Sequence, residues 1–249
     1  MSEPIWYKFL TERDRKMWTA SGYGARQGYG KRPAVLVIDV NYNFCGERPE
    51  PILESIKRWR NSCGEEAWVA MKAIQRLLAA ARARDLPIIY TTGVRRADNW
   101  DWGSWTWKNS RSGEHVARRT SGTPEDTIMP QVAPEPRDII VYKQKPSAFF
   151  GTPLASYLTL LGADSLIVTG TTTGGCVRAT VLDAFSNNYR VAVVDEGCFY
   201  RSEASHAINL CDMDAKYADV RKLDDVIGFI NTLEKGLFRL PNPKQETGA

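Results

Sequence analysis

Short apolar runs rich in β-branched residues alternate along the chain with longer segments whose apolar residues recur at helical spacing. The runs that predict buried strands are 34–38, 87–90, 139–142, 166–169, 190–194 and 218–221. The helical patterns between and after them are 65–81, 153–161, 176–187, 202–214 and 223–234. This rhythm predicts an α/β fold: a doubly wound, mostly parallel six-stranded sheet with helices on both faces, in three Rossmann-like layers.

Polar residues at the predicted helix starts support two of these helices. Ser62-x-x-Glu65 has the pattern of a capping box, in which a serine hydroxyl and a glutamate satisfy free backbone amides. Thr152 followed by Pro153 fits an N-cap and the first helical position.

Three parts of the chain differ in composition. Residues 1–32 are polar and aromatic with a glycine-rich end, which predicts an N-terminal arm docked at a subunit interface. Residues 33–235 carry the strand and helix pattern and form one domain of ordinary size, while residues 236–249 predict a flexible tail. Within the domain, residues 93–136 have little periodicity and four tryptophans, and so long an excursion is usually functional.

Composition excludes several classes of protein. The chain of 249 residues is 43% hydrophobic and 25% charged, with a modest and scattered net charge of +4, so we expect no nucleic-acid partner. Five widely spaced cysteines favour free thiols in a reducing compartment over a disulfide scaffold. No apolar run reaches the roughly 20 residues that span a membrane, and the N-terminus lacks a signal-peptide pattern. We therefore predict a cytoplasmic protein without a membrane partner.

Cys176 follows a buried strand and a glycine-rich turn, and it opens the next helical pattern. Backbone amides and the positive end of the helix dipole favour a thiolate there, and Gly174 and Gly175 let a substrate approach the backbone. The alternatives are a buried structural cysteine and a phosphate-binding glycine loop. The second is disfavoured because the run lacks G-x-G-x-x-G and a following Lys-Ser or Lys-Thr.

Two further reactive side chains stand at the ends of predicted strands. Asp39 follows the run 34–38 and Lys143 follows the run 139–142. Because ligands of such sheets bind beyond the carboxyl ends of the strands, we expect Asp39, Lys143 and Cys176 to converge on one crevice. Each residue taken alone also fits a turn or an exposed strand end, whereas the three together fit a nucleophile, its base and a cation.

Four segments carry a resemblance to a known family. They are residues 37–44 (Val-Ile-Asp-Val-Asn-Tyr-Asn-Phe), 143–152 (Lys-Gln-Lys-Pro-Ser-Ala-Phe-Phe-Gly-Thr), 170–180 (Gly-Thr-Thr-Thr-Gly-Gly-Cys-Val-Arg-Ala-Thr) and 207–219 (Ala-Ile-Asn-Leu-Cys-Asp-Met-Asp-Ala-Lys-Tyr-Ala-Asp). With these motifs the chain resembles the cysteine hydrolase, or isochorismatase-like, superfamily over roughly residues 5–235. Within it the chain is most similar to the N-carbamoylsarcosine and maleamate amidohydrolases.

The resemblance implies a catalytic mechanism. It places the catalytic residues on Asp39, Lys143 and Cys176, the oxyanion hole on the backbone amides of Thr172 and Cys176, and a cis peptide bond between Thr171 and Thr172. The implied reaction cleaves the C–N bond of a linear amide: a carboxamide or ureido carbonyl forms a thioester with Cys176 and ammonia is released. No cofactor is expected. No metal is expected either, because the only histidines, His115 and His206, lie outside the segment that binds an ion in nicotinamidase-type relatives.

Five residues are predicted to contact the substrate: Arg201, Thr172, Thr173, Phe44 and Trp105. Arg201 matches the arginine that binds the substrate carboxylate in the carbamoylsarcosine and maleamate enzymes, and its fork-shaped guanidinium suits that group. The tryptophans of the long excursion favour a flat or aromatic amide if they line the site, and they fit subunit packing equally well. These tryptophans are Trp100, Trp102, Trp105 and Trp107.

Two readings from other functional classes stay open. One is a catalytically silent binding module that keeps the fold, and the other is a thiol redox protein that uses Cys176. The intact set of Asp39, Lys143 and Cys176 weighs against the first, and the lack of a second cysteine near Cys176 in the sequence weighs against the other. The expected partners are a small-molecule amide and further copies of the chain, in a tetramer or a dimer.

Overall fold

The computed structural model describes residues 3–111 and 124–242 and contains a single six-stranded sheet. Its strands are β1 (Pro33–Ile38), β2 (Ile88–Gly93), β3 (Ile139–Lys143), β4 (Ser165–Thr171), β5 (Arg190–Phe199) and β6 (Asp219–Arg221). Their order is β3-β2-β1-β4-β5-β6, and every neighbouring pair is parallel. The predicted doubly wound sheet is confirmed, and it is parallel throughout rather than mostly.

Helices flank the sheet. They are α1 (Glu12–Ser21), α2 (Tyr42–Cys45), α3 (Ile52–Arg58), α4 (Glu65–Ala83), α5 (Leu154–Leu161), α6 (Arg178–Ser186), α7 (Glu203–Lys216) and α8 (Leu223–Thr232). Helices α4 and α8 pack against each other, and α6 packs against α7. Since parallel strands are joined by right-handed crossovers, the two pairs lie on opposite faces of the sheet.

The centre of the sheet explains why the strand signals are unbroken apolar runs. All residues of β1 and β4 are buried, because helices cover both faces of these central strands. Strand β3, at the edge, alternates between buried and exposed positions instead. Strand β5 continues to Phe199, beyond the predicted 190–194, because its pairing with β4 shifts register between Val168 and Gly170 and then resumes.

The N-terminal segment packs on its own domain. Trp6 is buried, and the short 3₁₀ helix that contains it contacts α7. Farther along, the backbone amides of Gln27 and Gly28 donate to the Asp219 carboxylate, both at 3.1 Å. A role for this segment at a subunit interface stays a prediction, but its inner side is already used within the chain.

Three local predictions need correction. Gly64, not Ser62, is the N-cap of α4, and the Ser62 hydroxyl hydrogen-bonds that of Ser55 at 2.7 Å. The predicted helix at 176–187 begins as a π turn over Thr173–Val177, and α6 starts at Arg178. The N-cap of α5 is Pro153, not Thr152, although the Thr152 hydroxyl accepts from the Leu154 amide at 3.2 Å. The flexible tail stays a prediction: Phe238 within it is buried, and residues 243–249 lie outside the described residues.

Candidate active site

The register of the sheet brings the predicted strand-end residues to one edge. Ile38, the last residue of β1, pairs with Thr91 of β2 on one side and Gly170 of β4 on the other. Lys143, the last residue of β3, pairs with Gly93 of β2. The segments that follow these strands therefore share one crevice at the carboxyl edge of the sheet, as expected for a parallel fold.

Asp39 and Lys143 form a buried ion pair in this crevice, with 2.7 Å between Lys143 Nζ and Asp39 Oδ2. The Thr91 hydroxyl donates to Asp39 Oδ1 at 2.7 Å, and Lys143 Nζ also donates to the Lys145 carbonyl at 3.2 Å. Burial alone would lower the pKa of Lys143, but the Asp39 carboxylate and the Cys176 sulfur raise this pKa above its usual value. The lysine is therefore a fixed cation.

The Cys176 thiol is buried beside this ion pair and is held in its neutral form. Burial raises the pKa of Cys176 to about 12, and the Asp39 carboxylate adds to the rise while the Lys143 ammonium opposes it. The prediction that the helix start favours a thiolate is therefore wrong for the free protein. The sulfur sits in a π turn rather than at the first turn of an α-helix, and burial outweighs the local amides.

The turn that carries Cys176 leaves no room for side chains at its glycines. The peptide bond between Thr171 and Thr172 is cis, as the resemblance implies. The Thr172 carbonyl accepts from the amides of Gly175 and Val177 at 2.8 and 3.2 Å. A Cβ atom on Gly175 would lie 2.4 Å from Thr172 Oγ1, so glycine is required for this close approach.

Helix α7 supports the turn from behind. The Thr173 hydroxyl hydrogen-bonds His206 Nδ1 at 2.8 Å and the Phe199 carbonyl at 3.2 Å. A Cβ atom on Gly174 would lie 2.7 Å from the Asn209 amide of α7. Thr173 is fully buried and is not among the residues that line the cavity, and its side chain supports the turn. Its contact with a substrate stays a prediction.

A cavity of about 390 Å³ opens at this edge of the sheet. Seven of the eight predicted site residues line it, all but Thr173: Asp39, Phe44, Trp105, Lys143, Thr172, Cys176 and Arg201. Lining residues outside the predicted set include Asn41, Asn43, Trp102 and Lys145. The first two belong to the segment 37–44 that carried the family resemblance, so their motif was a usable signal.

Arg201 lines this cavity, and part of its guanidinium is already hydrogen-bonded. Its Nε and Nη2 atoms donate to the Asn61 carbonyl at 3.0 and 2.7 Å, and its charged group lies 5.7 Å from the ring centre of Phe44. These contacts fix the plane of the guanidinium. Nη1 remains available for an anionic group in the cavity, judged from the residues that the structure describes.

The four tryptophans divide into two pairs. Trp102 and Trp105 line the cavity, whereas Trp100 and Trp107 are 82% and 78% exposed. The Trp102 ring has the guanidinium groups of Arg60 and Arg95 at 4.9 and 5.0 Å from its centre. Half of the set therefore faces the site and half faces solvent, which the sequence left open.

The described residues hold neither a group of metal ligands nor a helix that could span a membrane. Within 3–111 and 124–242, no three His, Cys, Asp or Glu side chains are grouped so as to hold an ion. His206 lies on α7 against Thr173, and His115 is outside the described residues. No helix in those same ranges has the length and apolar character needed to cross a lipid bilayer.

Known proteins resemble this chain over most of its length. A family model described as Isochorismatase domain matches residues 33–225. The N-carbamoylsarcosine amidase of an Arthrobacter species is 34% identical over 227 residues, covering 89% of this chain and 80% of the relative. The maleamate amidohydrolase of Pseudomonas putida is 29% identical over 206 residues, covering 82% and 90%. An isochorismatase family protein from Desulfovibrio vulgaris superposes with a TM-score of 0.63 at 29% identity, covering 80% and 100%.

Proposed function

The chain belongs to the isochorismatase family of hydrolases, and we propose that it is a cysteine-dependent amidohydrolase. Its substrate is a small carboxylate-bearing molecule whose carboxamide or ureido C–N bond is cleaved with release of ammonia. One observation carries the proposal: the buried ion pair of Lys143 Nζ and Asp39 Oδ2, at 2.7 Å, lines the same cavity as the Cys176 thiol. The names of the two amidohydrolase relatives support it.

The first step is the activation of Cys176. The thiol is neutral at rest, so attack on the substrate carbonyl requires a base, and the Asp39 carboxylate beside it accepts the proton. As Asp39 is neutralised, negative charge passes through the sulfur to the carbonyl oxygen. The Lys143 ammonium stays in place and stabilises that charge during the transfer.

The oxyanion is stabilised by the backbone of the cysteine turn. We propose that the amides of Thr172 and Cys176 donate to it, as the resemblance implies. Such a donor typically contributes about 3 kcal/mol to stabilisation of the transition state. Thr172, Gly175 and Cys176 of this turn line the cavity.

The tetrahedral intermediate then collapses. Asp39 returns its proton to the leaving nitrogen, ammonia departs, and the acyl group remains on Cys176 as a thioester. A water molecule gives a proton to Asp39 as it attacks the thioester, and Asp39 passes that proton to the departing sulfur, which restores the thiol and the carboxylate. A carboxamide yields a carboxylic acid, and a ureido substrate yields a carbamate that loses carbon dioxide.

Other residues that line the cavity are available to bind the substrate. We propose that Arg201 binds the substrate carboxylate and that Phe44, Thr172 and Trp105 enclose the chain between this carboxylate and the reacting carbonyl. A second candidate is an amide with a flat or aromatic acyl group. It is favoured by Trp102 and Trp105, which give the cavity two aromatic walls.

The thiols support one further part of the proposal. All five cysteines are free and buried, which suits the reducing cytoplasm. We propose a cytoplasmic homo-oligomer, with the outer side of the N-terminal segment at the contact between subunits. Exposed Met17 and Tyr23 lie on or beside α1 and supply apolar area there.

Ammonia release tests the proposed function. Wild-type protein, Cys176→Ala and Cys198→Ala are assayed with maleamate, N-carbamoylsarcosine, other N-carbamoyl amino acids and aromatic carboxamides, without added metal. We expect release by the wild type and by Cys198→Ala, since Cys198 is buried in β5 and does not line the cavity, and none by Cys176→Ala. Undiminished release by Cys176→Ala would contradict the mechanism, and silence of the wild type on the whole panel would favour a binding module.

A further inference from the structure

Asn41 lies two residues after Asp39 and faces the same cavity. It is only 1% exposed, and its backbone amide donates to the Asp39 carbonyl at 2.9 Å, so its position relative to Asp39 is fixed by a tight turn. Asn41 is distinct from the residues proposed to act in catalysis or to bind the substrate. Its hydrogen bonds show what it offers to a substrate.

The orientation of the Asn41 amide follows from its neighbour Thr92. The Thr92 hydroxyl donates its only hydrogen to the Asp126 carbonyl. Toward Asn41 it therefore acts as an acceptor, and the atom 3.0 Å away must be the Nδ2 donor. This assignment makes the other atom, Oδ1, an acceptor.

Asn41 Oδ1 is buried, and no donor reaches it from any residue within the described ranges. A buried carbonyl without a donor is uncommon, because it loses its hydrogen bonds to water and gains none in exchange. An acceptor in this state on the wall of a cavity matches a ligand that supplies an N–H or O–H group.

We infer that Asn41 Oδ1 accepts a hydrogen bond from the NH₂ group of the scissile amide and thereby makes the enzyme selective for amides over esters. The inference rests on the proposed amidohydrolase function. Asp39 must reach the leaving nitrogen in order to protonate it, and Asn41 is adjacent to Asp39. The oxyanion donors lie on the β4 side of the crevice, so the nitrogen is directed to the β1 and β2 side, where Asn41 and Thr92 lie.

The same oxygen also fixes which way the amide binds. A carbonyl or ester oxygen placed against Asn41 Oδ1 would face a second acceptor with no hydrogen between them, which is unfavourable in a buried site. Only the NH₂ end of a primary amide or a ureido group satisfies it. The carbonyl oxygen of the substrate is then turned to the backbone of the cysteine turn.

The test compares an amide with its matched ester. Maleamate and monomethyl maleate present the same acyl group to Cys176 but differ in the N–H donors of the leaving group. We expect Asn41→Ala to lower kcat/KM for maleamate by about tenfold to hundredfold and to change the value for the ester by less than about threefold. If another primary amide is the best substrate of the panel, that amide and its methyl ester form the pair.

Asn43→Ala is the matched control. Asn43 also lines the cavity, but its Oδ1 already accepts from Asn61 Nδ2 at 3.0 Å. We expect it to leave the ratio of amide to ester activity unchanged, whatever its effect on either rate. Equal losses on the amide and the ester in Asn41→Ala, or no loss on either, would leave this ratio unchanged and would overturn the inference.

A binding experiment tests the predicted preference for the amide over the ester without altering Asn41 and without turnover. Calorimetry on Cys176→Ala measures the Kd of maleamate and of monomethyl maleate. Binding of the amide about tenfold more tightly supports the inference, and equal affinity of the two overturns it. A failure of the proposed function shows separately, as absence of ammonia release by the wild type on every amide.

Discussion

The charges of Asp39, Lys143 and Cys176 depend on one another. The carboxylate and the ammonium satisfy each other at 2.7 Å, and the carboxylate is one reason why the thiol keeps its proton. A resting state with a carboxylate, an ammonium and a neutral thiol is therefore internally consistent. It places the proton on the sulfur, next to the base that we propose removes it.

Asp39→Asn should separate the activity of the protein from the acidity of its thiol. Removing the carboxylate removes a charge that raises the pKa of Cys176, so we expect this pKa to fall below about 12 while hydrolysis falls by about 10²- to 10⁴-fold. The pH dependence of iodoacetamide alkylation, followed by mass spectrometry at Cys176, measures the first effect. Alkylation of Cys198 is the internal control, and an unchanged or higher pKa of Cys176 would contradict the charge assignment.

The identity of these residues is readable from the sequence, but their state is not. Asp39 and Lys143 each follow an apolar strand, and parallel strands bring their carboxyl ends to one edge. The pKa of Cys176 depends on burial and on charges that are distant in sequence. The orientation of Asn41 likewise depends on Thr92 and Asp126, which belong to other parts of the chain.

Among the elements, the crossing from β4 into the cysteine turn is the most constrained. Gly170 has φ +108°, and a Cβ atom there would lie 2.1 Å from the Ile38 carbonyl oxygen of β1. The two central strands that carry Asp39 and the cysteine turn thus approach each other through a glycine. The distance between Asp39 and the cysteine turn therefore depends on Gly170.

Gly170→Ala should destabilise the fold strongly. The added methyl group meets backbone atoms that cannot move independently, and the positive φ adds conformational strain, so we expect a loss of about 3 kcal/mol or more in the free energy of unfolding. Gly228→Ala in α8 is the control. It has free space around the added Cβ and an ordinary φ, and it should stabilise the protein by about 0.5–1 kcal/mol. Similar unfolding midpoints in urea for the two variants would refute this account.

His206, on α7, makes the stability of the folded protein depend on pH in the acid range. Burial lowers its pKa from 6.5, with Asp195 partly opposing the shift, so the folded protein binds a proton at His206 less readily than the unfolded chain does. The contribution of neutral His206 to the free energy of unfolding is therefore lost as the pH falls from 6.5 through the pKa of His206 in the folded protein. We expect His206→Asn, which does not titrate, to lose less stability than wild type between about pH 7.5 and about pH 5.5 in urea unfolding.

Thr173→Val separates titration from hydrogen bonding in that experiment. It removes the hydroxyl that bonds His206 Nδ1 but keeps the imidazole. Its loss of stability between the two pH values should resemble that of wild type. An equal loss in His206→Asn and wild type would show that another group titrates in this range.

At the scale of the whole molecule, the N-terminal segment packs against the rest of its own chain at both ends. Tyr29 stacks on Phe229 of α8 with 4.2 Å between ring centres, and Trp6 is buried against α7 at the other end of the segment. The composition of residues 1–32 predicts an arm, and their polar and glycine-rich residues hide the few aromatic anchors that hold the segment to its own domain. Those anchors are single residues without periodicity, so pattern analysis does not detect them.

Trp6→Ala should lower the free energy of unfolding by about 3–5 kcal/mol, because it leaves a large buried cavity. Tyr23→Ala, at a side chain that is 58% exposed, should change it by less than about 0.5 kcal/mol. Denaturant unfolding measures both. Light scattering on Tyr23→Ala tests the proposed subunit contact, which is supported if the assembly dissociates without loss of stability. Unchanged stability of Trp6→Ala would show that the segment is not anchored.

The number and direction of the strands follow from sequence, whereas their order, their full extent and the cavity wall do not. Apolar runs locate all six strands, and their parallel arrangement follows from the helices between them. The wall at Trp100–Thr106 is an irregular 3₁₀ segment in which Gly103 interrupts the helix, so no period indicates which tryptophans face inward. The turn at Thr173–Val177 is equally aperiodic, and it differs from the α-helix that the apolar spacing suggested.

Among the described residues, three side-chain hydrogen bonds join the segment Trp100–Thr106 to the residues that follow Lys143. Trp105 Nε1 donates to the Gln144 carbonyl, Gln144 Nε2 donates to Asp101, and Lys145 Nζ donates to the Trp102 carbonyl. None of these bonds involves the cysteine turn or β1. Mutations can therefore accumulate in this segment and alter the acceptable acyl group while the reacting centre is inherited unchanged. The fold is suited to divergence in which one chemistry is kept and new substrates are acquired by replacing a single wall.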